Sequence, residues 1–389
     1  MTTICFAGTH DPGFNRTAII ADGLRRHGVV VEERVVSAWG STEARLAAAR
    51  RGLRNPGLLR RLASAYWRVL VGLRRLPSPP DALLLGHPGQ LDTIVLRALA
   101  PRVPLVLDAF IALDETLADR AISSSGSPTR RLARVLDRIA LRAADRVIVD
   151  THAHGRRFAA SYGLDPRRAI VVPVGAFDPG RESLRRSSES GNKMLRVLYF
   201  GGFIPLHGVP IMLEAARRLE PADGITLELV GDGQEAQQIE DALLGEPLPH
   251  VSLHRGWMPE TELVERYVAR ADVCLGIFAI SPKAMDVVPA KVYLALACGR
   301  AVLTADSPAI REEIVSRAPD TDAVMVCRAG DPAALVEALK TAREDRRRLP
   351  ILGAAGRDLY EAHFRPEAVV EPLVSALQEL HRGAARARD

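Results

Sequence analysis

A chain of 389 residues is too long for a single hydrophobic core and implies two domains. Its 47% hydrophobic and 25% charged residues are ordinary for a folded soluble protein, and no apolar run reaches the length of a bilayer-spanning helix. The formal net charge of +5 is unevenly spread, because residues 1–176 hold 26 Arg and Lys against 15 Asp and Glu while the remainder hold 26 against 32.

In chain order, the N-terminus MTTICFAG already reads as a strand and not as a charged, signal-like segment, so no export is expected and the chain is placed in the cytoplasm. TTICFAG, VVVEERVV, ALLLGH, PLVLDAF, RVIVDT and AIVVPVGA are β-branched or apolar runs that predict strands, separated by helical patterns such as TAIIADGLRRHG and RRLARVLDRIALRAA. The loop GTHDPGFNR after the first strand contains Gly8, which permits close approach, and His10 and Asp11, which can reach a substrate or simply build a turn. LGHPGQLD is a second strand-end loop and holds His87; Asp108 and Asp114 follow the fourth strand.

Within this basic half, LLRRLASAYWRVLVGLRRLP places Arg60, Arg61, Arg68, Arg74 and Arg75 among leucines, with Tyr66 and Trp67 between them. Such a pattern suits a helix lying on an anionic lipid surface, and it equally suits a packing helix with a solvated basic face. A second basic run, Arg130, Arg131, Arg134, Arg138 and Arg142, follows the flexible segment SSSGSP and favours the surface. Nucleic acid is not an expected partner, since no helix-turn-helix, zinc or RNA-stacking signature occurs. Cys5, Cys274, Cys298 and Cys327 lack metal or CxxC spacing and read as reduced packing residues.

Residues 177–193, rich in Ser, Gly and charge, read as a linker. Alternation then resumes with LRVLYFGGF, PIMLEAARRLE, TLELVGDG, VSLHRGW, ADVCLGIF and AVLTAD. Two consecutive series of this kind imply an α/β protein of two Rossmann-like parallel-sheet domains facing each other. The tail is helical, broken by Pro350 and Pro366, and ends in an Arg-rich stub.

The stretch from Ala271 to Asp306 gathers its chemistry in the loop 279–291, expected at the carboxyl edge of a sheet where open α/β folds bind ligands. Of 52 cationic residues only four are Lys, at 193, 283, 291 and 340, and Lys283 and Lys291 bracket this loop. Two scarce lysines beside a helix N-terminus suit an anion, above all a phosphate.

FGGFIPLHGVPIMLEAARRL, LELVGDGQE, VSLHRGWMPETELVERYVARADVCLGIF and PAKVYLALACGRAVLTADSPAIREEI resemble, in order and spacing, the family 4 glycosyltransferases of GT-B fold. The resemblance covers nearly the whole chain and is strongest over about 196–315. It implies an N-terminal acceptor domain, residues 1–178 together with a C-terminal helix 356–389 crossing back, and a nucleotide-sugar domain, residues 196–355, across a central cleft. It further implies hexosyl-type transfer with retention of configuration, no metal and no cofactor beyond the nucleotide-sugar donor. The acceptor would be lipid-linked, at a membrane on its cytoplasmic face, or a glycan or natural product.

The family carries an acidic residue, seven intervening residues and a glutamate; these positions are Asp286 and Leu294, so only the first carboxylate is present. Its phosphate-binding basic pair falls at Gly202 and His207, neither a permanent cation, which leaves Lys291 and Lys283 to supply the charge. The resemblance thus implies Asp286, Lys291, His207 and Asp108 as catalytic candidates. Gly201, Gly202, Gly231, Asp232, Gly233, Lys283, Val288, Pro289 and Leu294 would hold the nucleotide sugar, and Gly8, His10, Asp11 and His87 the acceptor. The histidine usual after the fourth strand falls at Phe110, so no single base is assigned. Two alternatives stay open: a nucleotide-sugar epimerase of similar fold, and a catalytically silent binding protein, suggested by Leu294, Gly202 and His207.

Overall fold

The computed structural model describes residues 2–10, 13–38, 56–119, 127–180, 194–319 and 321–386. Two compact units divide the chain. The first comprises Met1–Asp150, His154–Pro173 and Pro366–Asp389, and the second Thr151–Ala153 and Val174–Arg365. The expected boundary at 178 thus falls a few residues earlier. Of the C-terminal segment 356–389, residues 356–365 stay with the second unit, and those up to His363 complete the helix begun at Leu349.

In the first unit the chain alternates β1 (Thr3–Gly8), α1 (Asn15–Arg26), β2 (Val30–Val35), α2 (Pro56–Arg74), β3 (Ala82–Leu85), α3 (Gln90–Leu99), β4 (Leu105–Asp108), α4 (Leu113–Asp119), α5 (Pro128–Ala143), β5 (Arg146–Val149), α6 (His152–Tyr162) and β6 (Ala169–Val171). The strands form one parallel sheet in the order β2-β1-β3-β4-β5-β6. Strands β1, β3, β4 and β5 are almost wholly buried, as near-continuous apolar runs covered on both faces must be. Val69 of α2, Leu96 of α3, Ala140 and Leu141 of α5 and Phe158 of α6 share one core with the strands, which places these four helices on one face of the sheet.

The second unit runs β7 (Leu195–Gly202), α7 (Val209–Arg217), β8 (Ile225–Asp232), α8 (Ala236–Gly245), β9 (Val251–Arg255), α9 (Glu260–Arg266), β10 (Val273–Leu275), α10 (Pro282–Asp286), α11 (Ala290–Ala297), β11 (Ala301–Ala305), α12 (Pro308–Glu313), β12 (Met325–Cys327), α13 (Pro332–Glu344) and α14 (Leu349–His363). Its parallel order is β12-β11-β10-β7-β8-β9. Helix α11 is buried on every side from Lys291 to Ala297, and it stops at Cys298 because Gly299 takes the left-handed conformation, φ +61°. Two features depart from expectation. The loop 279–291 contains α10, capped by Ser281 Oγ accepting from Ala284 N at 3.2 Å, and β12 was not foreseen as a strand.

Pro350 and Pro366 interrupt the tail as expected, each standing in the first turn of a helix where its missing N–H costs nothing. α15 (Pro366–Val369) and α16 (Glu371–Arg386) return to the first unit. α15 lies so close to α1 that a Cβ on Gly23 would stand 2.1 Å from the Pro366 carbonyl oxygen. His381 Nδ1 meets Asp81 Oδ1 at 2.7 Å and fastens α16 near the start of β3. The linker residues 181–193, the serine-rich segment up to residue 126 and the last three residues lie outside the described set.

Candidate active site

In a doubly wound sheet the ligand crevice opens where strand order reverses. In the second unit that point lies between β7 and β10, and the segments leaving their carboxyl ends carry the expected motifs. Gly201 has φ +115° and Gly231 φ +147°, and a Cβ on Gly231 would stand 1.9 Å from the Gly201 carbonyl oxygen. The GDG glycines are therefore required by close backbone approach of β7 and β8. Asp232 Oδ1 accepts from Gly233 N at 2.8 Å and lies 3.3 Å from Arg255 Nη2, so its carboxylate is engaged with its own strand end and β9.

Lys291 is the centre of the site. Its side chain passes over the Tyr199 ring, with Nζ 4.3 Å from the centroid, and ends 3.1 Å from Tyr199 Oη and 3.2 Å from His207 Nδ1. Tyr199 Oη donates to the Gly202 carbonyl at 2.6 Å, and His207 Nδ1 lies 2.6 Å from the same oxygen. No carboxylate pairs with Lys291 among the described residues. Burial alone holds its amine well below the ordinary lysine range, and burial followed by the nearby Lys291 charge holds His207 well below its own. His207 is thus a neutral imidazole that orders a loop and a lysine, not a cation of the kind a basic pair would supply.

Lys283, half-buried on α10, also acts on His207 electrostatically, which places it on the same side of the site. Asp286 ends α10, and its backbone carbonyl accepts from Thr151 Oγ1 at 2.5 Å, fixing the position from which the half-buried carboxylate is presented. Val288 is buried, Pro289 is the N-cap of α11, and Leu294 is buried within that helix.

The first unit has a second polar cluster at its own switch point, between β1 and β3. Gly8 has φ +123°, and a Cβ there would stand 2.2 Å from Asp92 Oδ2. Asp92 is fully buried and accepts from Thr9 N, Thr9 Oγ1 and Tyr66 Oη, each at 2.8 Å, which counters the rise that burial imposes on its carboxyl. His10 is buried against Gly86, and His87, half-buried, forms a ring triangle with Phe14 and Phe110 at centroid separations of 5.7 to 5.9 Å. Asp11 lies outside the described residues.

Three expectations require correction. Asp108 is a buried structural carboxylate: Arg16 Nε stands 3.1 and 3.0 Å from its two oxygens while Arg16 Nη2 donates to the Val172 carbonyl at 3.0 Å, and both side chains are 1% exposed. Asp150 and His154, 2.5 Å apart, complete the buried cluster. Tyr66 is also no surface anchor. It turns inward to Asp92, whereas its neighbour Trp67 is 64% exposed. Asp114, expected as a strand-end carboxylate, is buried between Arg130 and Arg134, whose side chains hold it below the usual carboxylate range against the opposing effect of burial. Sequence inspection did not single out Tyr199, Arg16 or Asp92. The four cysteines are buried and unbridged, and burial pushes the thiols of Cys5 and Cys274 up to about 12. Among the described residues no group of three His, Cys, Asp or Glu is placed to hold a metal ion, and no helix is long and apolar enough to cross a membrane.

Two parallel six-stranded sheets, each with a polar cluster at its carboxyl switch point, define the GT-B class of α/β architecture. Known proteins agree. Residues 15–175 match the glycosyl transferase 4-like domain and residues 195–345 the glycosyl transferases group 1. The chain belongs to this glycosyltransferase family. It is 28% identical over 290 residues to a D-inositol 3-phosphate glycosyltransferase of Geodermatophilus obscurus, a match covering 70% of this chain and 61% of that protein. A protein of the same description from Actinosynnema mirum is 29% identical over 157 residues, covering 37% of this chain and 36% of that one. The chain therefore spans less than two thirds of the length of these curated relatives. Among solved structures, sucrose-phosphate synthase from Thermosynechococcus elongatus superposes with TM-score 0.72 at 15% identity, covering 98% of this chain and all of that one. Anabaena HepE in complex with UDP-glucose superposes at 0.68 and 16%, covering 97% of this chain and 100% of that one.

Proposed function

We propose that the chain transfers a sugar from a nucleoside-diphosphate donor to an acceptor hydroxyl with retention of configuration, its second unit holding the donor and its first unit the acceptor. The observation that carries this reading is Lys291, a buried amine at the carboxyl edge of a switch point that no carboxylate pairs with among the described residues. In the reaction the bond from the anomeric carbon to the β-phosphate oxygen breaks, and a bond from that carbon to the acceptor oxygen forms on the same face. The acceptor proton passes to the departing phosphate. Negative charge grows on the diphosphate as the bond breaks, and Lys291 and Lys283 would stabilise it. Protein cations thereby fill the role a divalent ion would otherwise take. Leu294 offers no acceptor to a ribose hydroxyl, so recognition of the nucleoside rests on other groups.

Asp286, presented at the end of α10, would orient the donor sugar through hydrogen bonds to its hydroxyls. Replacing Asp286 by Asn is expected to lower kcat by about 10²-fold while UDP affinity changes by less than about twofold. Parallel turnover and calorimetric measurements test it, and an equal loss of both would assign Asp286 to holding α10 instead.

We further propose a lipid-linked acceptor met at an anionic bilayer, which makes the protein peripheral to that membrane. All six large hydrophobic residues exposed in the first unit among the described residues, Leu59, Trp67, Leu99, Leu132, Val135 and Ile139, stand on α2, α3 and α5. Those helices pack on the same face of the sheet, and the only acids they carry, Asp92 and Asp137, are buried. Asp114 and Asp145 pair with Arg130, Arg134 and Arg97, while Arg60, Arg61, Arg68, Arg131 and Arg138 stand exposed among the apolar side chains, the chemistry of a headgroup interface. With each cation contributing about 1 kcal/mol near such a surface, Arg60, Arg61, Arg68, Arg131 and Arg138 suffice for reversible attachment. The protein should co-sediment with anionic liposomes at low salt and be released at high salt; a variant with these five changed to Gln should remain in the supernatant. Failure of wild type to sediment leaves a soluble acceptor.

A further inference from the structure

We propose that binding of a nucleoside diphosphate loads one proton onto Lys291, and that Tyr199 and His207 are the positioning residues holding the amine for that step. The inference rests on the donor reading above and assigns to its central residue a change of state.

The proton inventory of the cluster leads to it. The Gly202 carbonyl can only accept, and it lies 2.6 Å from both Tyr199 Oη and His207 Nδ1, which stand 2.8 Å from each other, so a proton on each is directed towards that oxygen. The imidazole is therefore the Nδ1–H tautomer and offers Lys291 no lone pair at its nearer nitrogen, 3.2 Å away. Tyr199 Oη keeps a lone pair and accepts from Nζ at 3.1 Å. One N–H of Lys291 is thereby fixed, the rest are left for an incoming group, and the Tyr199 ring face lies beneath the nitrogen at 4.3 Å.

Burial, the helix dipole and Lys283 oppose a charge on the amine, and Glu235 does not pair with it. Lys291 sits in the first turn of α11, at the positive end of the helix dipole, and is 6% exposed. The charged groups facing the cluster are Lys283 from α10, which acts on His207, and Glu235 before α8, which acts on Tyr199. Neither is a salt-bridge partner of Lys291 among the described residues. Burial disfavours the ammonium in the free protein, whereas a diphosphate restores it by supplying the missing anion. Free-state titration therefore lies below the ordinary lysine value and bound-state titration above the free one. Between the two, binding takes up a proton, and affinity falls by about one decade per pH unit as pH rises.

The test is calorimetric titration of UDP into the full chain in two buffers of different ionisation enthalpy, across about pH 7 to 9.5, where the terminal phosphate of UDP, titrating near 6, is already ionised. Wild type is expected to take up close to one proton per UDP bound at pH values between its free-state and bound-state titrations. Lys291→Arg, whose guanidinium stays charged throughout, should bind UDP with uptake near zero. Tyr199→Phe keeps the ring but removes the lone pair, so its affinity should begin to fall at lower pH than in wild type. UDP binding with the same proton count in wild type and Lys291→Arg would overturn the inference and leave the donor reading standing. Absence of binding by UDP, GDP and dTDP alike would overturn both.

Discussion

Arg16→Met is expected to destabilise the first unit by about 3–5 kcal/mol, because it strands the Asp108 carboxylate in a site that water does not reach. Both side chains are 1% exposed, and Arg16 also donates to the Val172 carbonyl at 3.0 Å, so one guanidinium ties β4 to the end of β6. Burial raises the Asp108 carboxyl and Arg16 opposes that rise. Without Arg16 the carboxyl is raised further above its unfolded value, and stability is lost as pH rises through the folded-state titration and regained as pH falls. The melting temperature should drop by on the order of 10 °C at neutral pH and by less in acid. A double variant, Arg16→Met with Asp108→Leu, should recover most of the loss, as replaced buried ion pairs commonly do. Equal damage in the single and double variants would show that packing, not charge, dominates.

Lys291→Met has the opposite effect on stability. The wild-type amine is buried with no counter-ion among the described residues, so a methionine of similar length should raise the melting temperature of the free protein. The same substitution removes a charged hydrogen bond to the diphosphate and should weaken UDP by about 1.5–3 kcal/mol, roughly ten- to a hundred-fold. A merely structural lysine would show a fall in melting temperature with no change in affinity.

The sheets were legible because their strands are short apolar runs punctuated by turns, and the second unit's site was legible because lysine is scarce. Local pattern did not reveal partners distant in sequence. Asp108 stands at a strand end like a catalytic acid, and only the fold brings Arg16, 92 positions away, onto it. Asp92 and Thr9 are 83 apart and meet only where β1 and α3 converge. Tyr66 was misplaced for a different reason. Leu58, Leu62, Tyr66 and Val69 form the buried stripe of α2 at helical spacing, and the adjacent Trp67 drew attention to the wrong face. Tyr199 is hidden because an aromatic residue in LRVLYFGG reads as strand filler, though its hydroxyl organises the lysine. β12 is three residues long, too short to leave a period.

The most direct measurement of the central claim is calorimetric titration of UDP, GDP and dTDP into wild type and Lys291→Met at neutral pH. One of the three is expected to bind wild type at a single site and to lose at least about tenfold in affinity in the variant. Binding of none, or binding that ignores the substitution, would contradict the assignment of this unit to a nucleotide-sugar donor.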